Sequence, residues 1–263
     1  MSETNGTTEY QAIADGLNAL ALGRIASATS VEVLSTRGDK LLQVVEEADD
    51  SKVVTRSFTR HAIAQSEWYG LNFKQAWQNM HDVFTGDGVG VVRSSLLTSS
   101  GEYPYIAVSE YVTEDMSLRD ASTELKVKLA RHMGGWLKPT AEQRPALEML
   151  NEHMFTVVED EDGSQTALLL DVDPHTLHQT TGRSAGARDM LNAHYIDTLG
   201  NLFWRKWCKE DEREEVLRAL VATVGDAVLD DLSTASSKTF TAFSKIHFMS
   251  QGFGPEEFMG VLA

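Results

Sequence analysis

The sequence predicts an α+β fold, with a small N-terminal lobe built on an antiparallel sheet plus helix and a mainly helical C-terminal lobe carrying an inserted β-hairpin. Three observations predict it. Strand-like runs come in pairs joined by short turns, as antiparallel hairpins do. Most of those runs lie before residue 112. Beyond it the apolar residues recur at helical spacing, apart from one further hairpin near 155–170. A doubly wound α/β chain would instead alternate strand and helix throughout.

Residues 1–10 read as a polar tail, and Ile13, Leu17, Leu20 and Ala21 are spaced for a short helix between 11 and 26. Val31 to Ser35 alternates apolar and polar side chains, Arg37-Gly38-Asp39 supplies a turn, and Leu41 to Val45 is the returning strand. From Val53 to His81 the pattern of Phe58, Ala62, Ile63, Trp68, Leu71, Phe73 and Trp77 predicts one long helix, or two broken near Gly70. Gly86 to Gly90 reads as a turn. A second hairpin follows, with strands over 91–97 and 105–112.

Ser122 is placed to cap a helix running to Leu137, with Leu125, Leu129, His132, Met133 and Trp136 on one side. Pro139 and Pro145 bracket a connection, and 146–151 suggests a short helix. The third hairpin pairs 155–158 with 166–170 around the acidic turn Glu159 to Gly163. Helical patterns then return in the aromatic stretch His194–Trp207 and in Glu214–Leu232. The expected division is a tail and helix over 1–26, a small β-rich lobe over 27–114 and a helical lobe over 115–263.

With 263 residues, 42% of them hydrophobic, the chain can bury a sizeable core. Its 23 Lys+Arg against 39 Asp+Glu give a formal charge of −16. That argues against coating nucleic acid or an anionic membrane, and makes an anionic ligand dependent on locally focused cations or a metal. The single cysteine, Cys208, cannot form an internal disulfide and reads as a core residue beside Trp207. The N-terminal stretch has no secretory pattern and no run approaches a membrane span, so a cytoplasmic location is expected.

Two places could carry chemistry. The apolar strand 105–112 ends in Ser109-Glu110-Tyr111-Val112 and leads into a helix. The third hairpin ends in Leu170-Asp171-Val172-Asp173-Pro174. A carboxylate directly after a strand is held in position, and hard cations that bridge phosphates take oxygen ligands. The same Asp-x-Asp-Pro is also an ordinary way to end a strand. Asp171, Asp173 and His175 alternate, so a transition-metal site of a hydrolase is a third reading.

In the order of these elements the chain resembles the protein-kinase-like superfamily, particularly its small members that phosphorylate sugars and antibiotics. The resemblance covers most of 27–230. It implies a hinge at Glu110, Tyr111 and Val112 whose backbone receives the adenine of ATP, and Mg²⁺ held by Asp171 with Asp173 helping. Glu67 would lie on the small-lobe helix. The departures are specific. Gly23 to Ser30 is Ser/Ala-rich where a glycine-rich loop is expected, and Leu41–Glu47 contains no lysine to hold phosphates. The catalytic loop normally carries Asp and, five residues later, Asn. Here those slots fall near Glu148 and His153.

The resemblance therefore implies a degenerate, pseudokinase-like protein that binds nucleotide in a regulatory or binding role, with an unidentified protein or small-molecule partner. An active phosphotransferase in which Glu148 or Glu152 orients the acceptor hydroxyl is the alternative, and a plain interaction domain is another. The glycines and arginines of Thr180–Arg188 would suit an anion-binding loop or a flexible connection.

Overall fold

A computed structural model describes residues 28–37, 40–47, 52–60, 63–64, 72–98, 103–113, 116–137, 143–145, 150–170, 177–179, 195 and 198–224. The fold is α+β. Its described residues divide into two compact units: one takes the residues up to Trp77 together with Val92–Thr113, the other Gln78–Val91 and those beyond Thr113. The expected helix at 11–26, Glu67, the 146–149 segment, the 180–188 loop and everything after 224 lie outside the described residues.

The first unit is a five-stranded antiparallel sheet. Strands β1 (Ala28–Arg37), β2 (Lys40–Glu47), β3 (Lys52–Phe58), β5 (Ser94–Thr98) and β6 (Tyr105–Glu110) lie in the order β1-β2-β3-β6-β5. The β1–β2 and β5–β6 hairpins are those expected from the sequence. Strand β3 corrects it, because Lys52–Phe58 was expected to begin a helix. This strand is paired on both sides, with β2 and with β6, and Thr55 to Phe58 are all buried. Burial on both faces removes the polar/apolar alternation by which an exposed strand is recognised. Helix α1 (Phe73–Val83) follows; the division between the units falls within it, after Trp77. Its first residue, Phe73, stacks on Tyr105 at 4.9 Å and meets Phe58 edge-on at 5.1 Å. Phe58 and Tyr105 face each other in the β3–β6 register, so one helical aromatic ring covers a cross-strand pair.

The second unit contains more sheet than its sequence suggests. Strand β8 (Phe155–Glu159) pairs with β9 (Gln165–Leu169) as the expected hairpin, and Gly163 takes a left-handed φ of 82° in its turn. β9 also pairs in parallel with β4 (Val89–Val91). The run 91–97, read as one strand, is therefore two strands in two different sheets, separated at Val92-Arg93. The turn expected at Gly86–Gly90 is confined to Asp87-Gly88, where Gly88 has φ 70°. A further pair, β7 (Gln143–Pro145) with β10 (Leu177–Gln179), was also not foreseen. Three-residue strands give no periodic signal, and their partners are remote in sequence.

Helix α2 (Thr123–Gly135) begins as predicted, the Ser122 hydroxyl accepting from the Leu125 N–H at 3.3 Å. Its apolar face buries Leu125, Leu129, Met133 and Trp136. The chain from 198 to Trp207 is helical and widens into a π-helix over Leu202–Trp207; helix α3 (Arg213–Val224) follows. α2 and α3 approach closely at Gly134, where a Cβ would lie 2.7 Å from the Leu220 carbonyl oxygen. Phe84, Trp136, Phe155, Phe203 and Trp207 form a chain of edge-on ring contacts through the core. Cys208 is fully buried and burial pushes its thiol up to about 12, so it packs and does not react at neutral pH. No helix among the described residues is long and apolar enough to cross a membrane.

His132 on α2 donates from Nε2 to the Val83 carbonyl at 2.8 Å, and Trp136 Nε1 donates to the same oxygen at 3.2 Å. Burial lowers the His132 pKa below 6.5, against the opposing pull of that carbonyl. The unfolded chain therefore takes up the proton first as pH falls, and stability present above about pH 6.5 is lost through the folded pKa. Thermal unfolding of His132→Gln should show a smaller loss than the native chain between about pH 8 and about pH 5. Equal losses in the two proteins would rule out His132 as a contributor.

Candidate functional site

Strands β3 and β6, neighbours in the sheet of the first unit, carry buried polar groups. On β3, Thr55, Arg56 and Ser57 are at most 5% exposed, and Ser109 on β6 is 2% exposed. Alternate residues of a strand share a face, and in the β3–β6 register Val54, Arg56 and Phe58 lie opposite Ser109, Ala107 and Tyr105. The Arg56 side chain runs diagonally across this face, and its Nη1 donates to Ser109 Oγ at 3.2 Å. A guanidinium stays charged and presents a planar fork of donors, so Arg56 is a fixed cation on a buried sheet face. Ser57 on the opposite face has a buried hydroxyl with no hydrogen-bond partner.

The hinge residues expected from the sequence continue the strand that carries Ser109. The Glu110 N–H donates to the Arg93 carbonyl at 2.9 Å and the Tyr111 N–H to the Lys52 carbonyl at 3.3 Å. Two of the three expected backbone donors are thus spent within the unit. Val112 is the residue whose N–H takes no part in that pairing. The side chains of Glu110 and Tyr111 are exposed, Tyr111 by 40%, and the Lys52 ammonium lies 5.9 Å from the centre of its ring. Backbone, not side chains, is what this segment can offer a ligand.

In the second unit, Asp171, Asp173, His175 and Glu148 lie outside the described residues. The β8–β9 hairpin that leads to Asp171 is present, and the described chain runs to Leu170. Among the described residues no group of three His, Cys, Asp or Glu side chains could hold a metal. His153, near the second catalytic-loop slot, is 84% exposed, and its Nε2 lies 3.4 Å from the Glu152 carboxylate. Its N–H donates to the Asn151 side chain at 2.9 Å.

Arg56 is the functional candidate that sequence reasoning missed. A cation was sought on Leu41–Glu47, the second strand, because Lys52–Phe58 was assigned to a helix. The three successive β-branched residues Val53, Val54 and Thr55 just before Arg56 were the available signal.

No protein-family model matches the chain, and no curated protein matches it in sequence. Several solved structures are similar to it. The Rio2 kinase of Chaetomium thermophilum, in its ADP/Mg²⁺-phosphoaspartate complex, is 13% identical with a TM-score of 0.42, covering 91% of this chain and 78% of that one. The Plasmodium vivax ethanolamine kinase is 9% identical with a TM-score of 0.41, covering 88% and 79%. The aminoglycoside phosphotransferase APH(4)-Ia is 10% identical with a TM-score of 0.38, covering 81% and 93%.

Proposed function

We propose that the chain is a degenerate kinase-like protein that binds a nucleotide together with Mg²⁺ and acts as a binding or regulatory module. The observation that carries the reading is the buried Arg56 on β3. In protein kinases the cation that pairs with the nucleotide phosphates stands on the third strand of the small lobe, as a lysine. Arginine supplies the same charge with a bidentate geometry suited to phosphate. The strand beside it, β6, leads directly into Glu110-Tyr111-Val112, where the Val112 N–H and neighbouring carbonyls would meet the adenine. Asp171, one residue beyond the described end of the β8–β9 hairpin, would hold Mg²⁺ with Asp173, since hard cations take carboxylate oxygens. Glu148 is the residue left for orienting an acceptor hydroxyl, and no aspartate occupies that slot. A protein built this way is better fitted to bind nucleotide than to turn it over.

Thermal unfolding with ATP or GTP, each with and without Mg²⁺, tests the reading. A ligand at a hundred times its Kd that binds only the folded state adds about 2.7 kcal/mol. The expected result is a Mg²⁺-dependent rise in Tm that is lost in Asp171→Ala and reduced in Arg56→Met. Losing a charge-assisted hydrogen bond to phosphate should weaken binding about ten-fold or more. No rise with either nucleotide would overturn the proposal. A tightly held transition metal in the purified protein would point instead to the Asp171/Asp173/His175 hydrolase.

A further inference from the structure

An open sheet leaves a row of backbone donors and acceptors along each edge strand. Folded proteins protect such edges with charges, proline, bulges or short length. Among the described residues, most edge strands carry one of these devices. β1 bears the charged Glu32 and Arg37 and has two register irregularities against β2. β4, β7 and β10 are three residues long. β8 carries Glu159, and its Val157 N–H donates to the Met116 carbonyl at 3.1 Å. β5 has none of them. Its residues Ser94-Ser95-Leu96-Leu97-Thr98 include no charge and no proline, and they pair with β6 without a register shift.

The register decides which backbone groups of β5 point outward. The Glu110 N–H donates to the Arg93 carbonyl at 2.9 Å, which makes Arg93–Glu110 a hydrogen-bonded pair and Ser94–Ser109 a non-hydrogen-bonded one. The pattern alternates along the strand. Ser95 and Leu97 therefore bond to β6, while Leu96 and Thr98 direct their N–H and C=O away from it. No described strand lies beyond them.

Symmetry and charge select the strand that would meet them. Suppose β5 pairs antiparallel with its own copy about a two-fold axis at Leu97. Leu96 of each copy then stands opposite Thr98 of the other, and because both point outward, four hydrogen bonds close. Leu97 faces its counterpart in a non-hydrogen-bonded pair, where side chains come closest. It already packs, half-buried, on Ile106 and Val108 beside Val53 and Tyr103, so the counterpart would extend that apolar cluster across the axis. Charge permits the approach. The unit that carries β5 has 8 Lys+Arg against 12 Asp+Glu, a balance of −4 within the −16 of the whole chain. We propose that β5 is a homodimerisation edge, at which two copies of the chain join their five-stranded sheets into one continuous sheet. The inference does not depend on nucleotide binding.

Sedimentation equilibrium on the full chain, at low and at moderate salt, tests it. The expected result is a reversible dimer with a Kd on the order of 0.1 mM, as suits a small interface, tightening as salt screens the like net charges. Thr98 is exposed, and Thr98→Pro deletes its outward N–H while leaving the β5–β6 bonds in place. Two of the four intermolecular bonds are lost with it, and the dimer Kd should rise about ten-fold or more. Leu97→Lys and Leu97→Glu each set like charges opposite one another and should abolish the dimer alone. Mixed in equal amounts, the two variants should associate. A native chain that stays monomeric up to about 1 mM at both salt concentrations, ten times the expected Kd, would overturn the proposal. A dimer unweakened in Thr98→Pro would place the contact on another surface and overturn it too. Failure of the two folded Leu97 variants to associate on mixing would overturn the axis at Leu97. If those variants do not fold, the Thr98→Pro comparison still decides.

Discussion

Glu212→Ala is expected to lower the free energy of unfolding by about 3–5 kcal/mol, the usual cost of orphaning one partner of a buried ion pair. The Lys126 side chain is 0% exposed. Its ammonium donates to Glu212 Oε2 at 2.7 Å and to the Arg119 carbonyl at 2.9 Å. Glu212 is 9% exposed, accepts from the Lys209 N–H at 2.7 Å and takes the Thr123 hydroxyl at 3.2 Å. Removing the carboxylate leaves a buried charge facing a single carbonyl. Lys126→Met should cost less, because Lys209 and Thr123 still satisfy the remaining carboxylate. The double change Lys126→Met with Glu212→Leu should recover most of the loss, since a well-packed apolar pair often matches a buried ion pair.

The same pair gives an acid dependence. Burial pushes the Glu212 carboxyl up, but the Lys126 ammonium, the Lys209 N–H and the Thr123 hydroxyl outweigh it and hold the group below the ordinary 4.5. Its contribution is therefore fully present above about pH 4.5 and is lost as pH falls through the folded value. Urea unfolding checks both statements. A Glu212→Ala loss of under about 1 kcal/mol would show that water reaches Lys126.

What the sequence makes legible follows from how local each signal is. The β1–β2, β5–β6 and β8–β9 hairpins announce themselves through alternation and turn residues a few positions apart. The Ser122 cap and the Leu125, Leu129, Met133 stripe lie within one helix. Strand β3 is different, because its identity comes from two neighbours, β2 and β6, that bury both of its faces. The polar Thr55, Arg56 and Ser57 then read as anything but a core strand. Val89–Val91 pairs with residues nearly eighty positions later, and a three-residue run beside two glycines carries no period.

The candidate sites divide the same way. Glu110–Val112 could be singled out in the sequence because a strand end is a local event. Arg56 was missed with its strand. The Glu152 environment was out of reach altogether, since the Lys206 and Trp207 that pair with it come from a π-helix whose widened turn no spacing rule anticipates. Glu148, Asp171 and Asp173 rest on their order in the chain.

Trp207→Ala is expected to cost about 3–5 kcal/mol, as a large buried aromatic residue does when truncated. The ring is 2% exposed and meets Phe203 edge-on at 5.1 Å and Phe155 at 6.4 Å. Its loss would leave a void between the π-helix and the β8 strand, which the close-packed core around Phe84 and Trp136 cannot readily fill. Trp207→Phe separates packing from hydrogen bonding. It keeps a ring in the core but deletes the Nε1 donor to the Glu152 carbonyl, which should cost about 1 kcal/mol in addition to a small packing loss. Stability should thus fall far less than in the alanine variant. Chemical denaturation of the two variants, run together, reads these effects apart. A phenylalanine variant as unstable as the alanine one would assign the energy to the hydrogen bond.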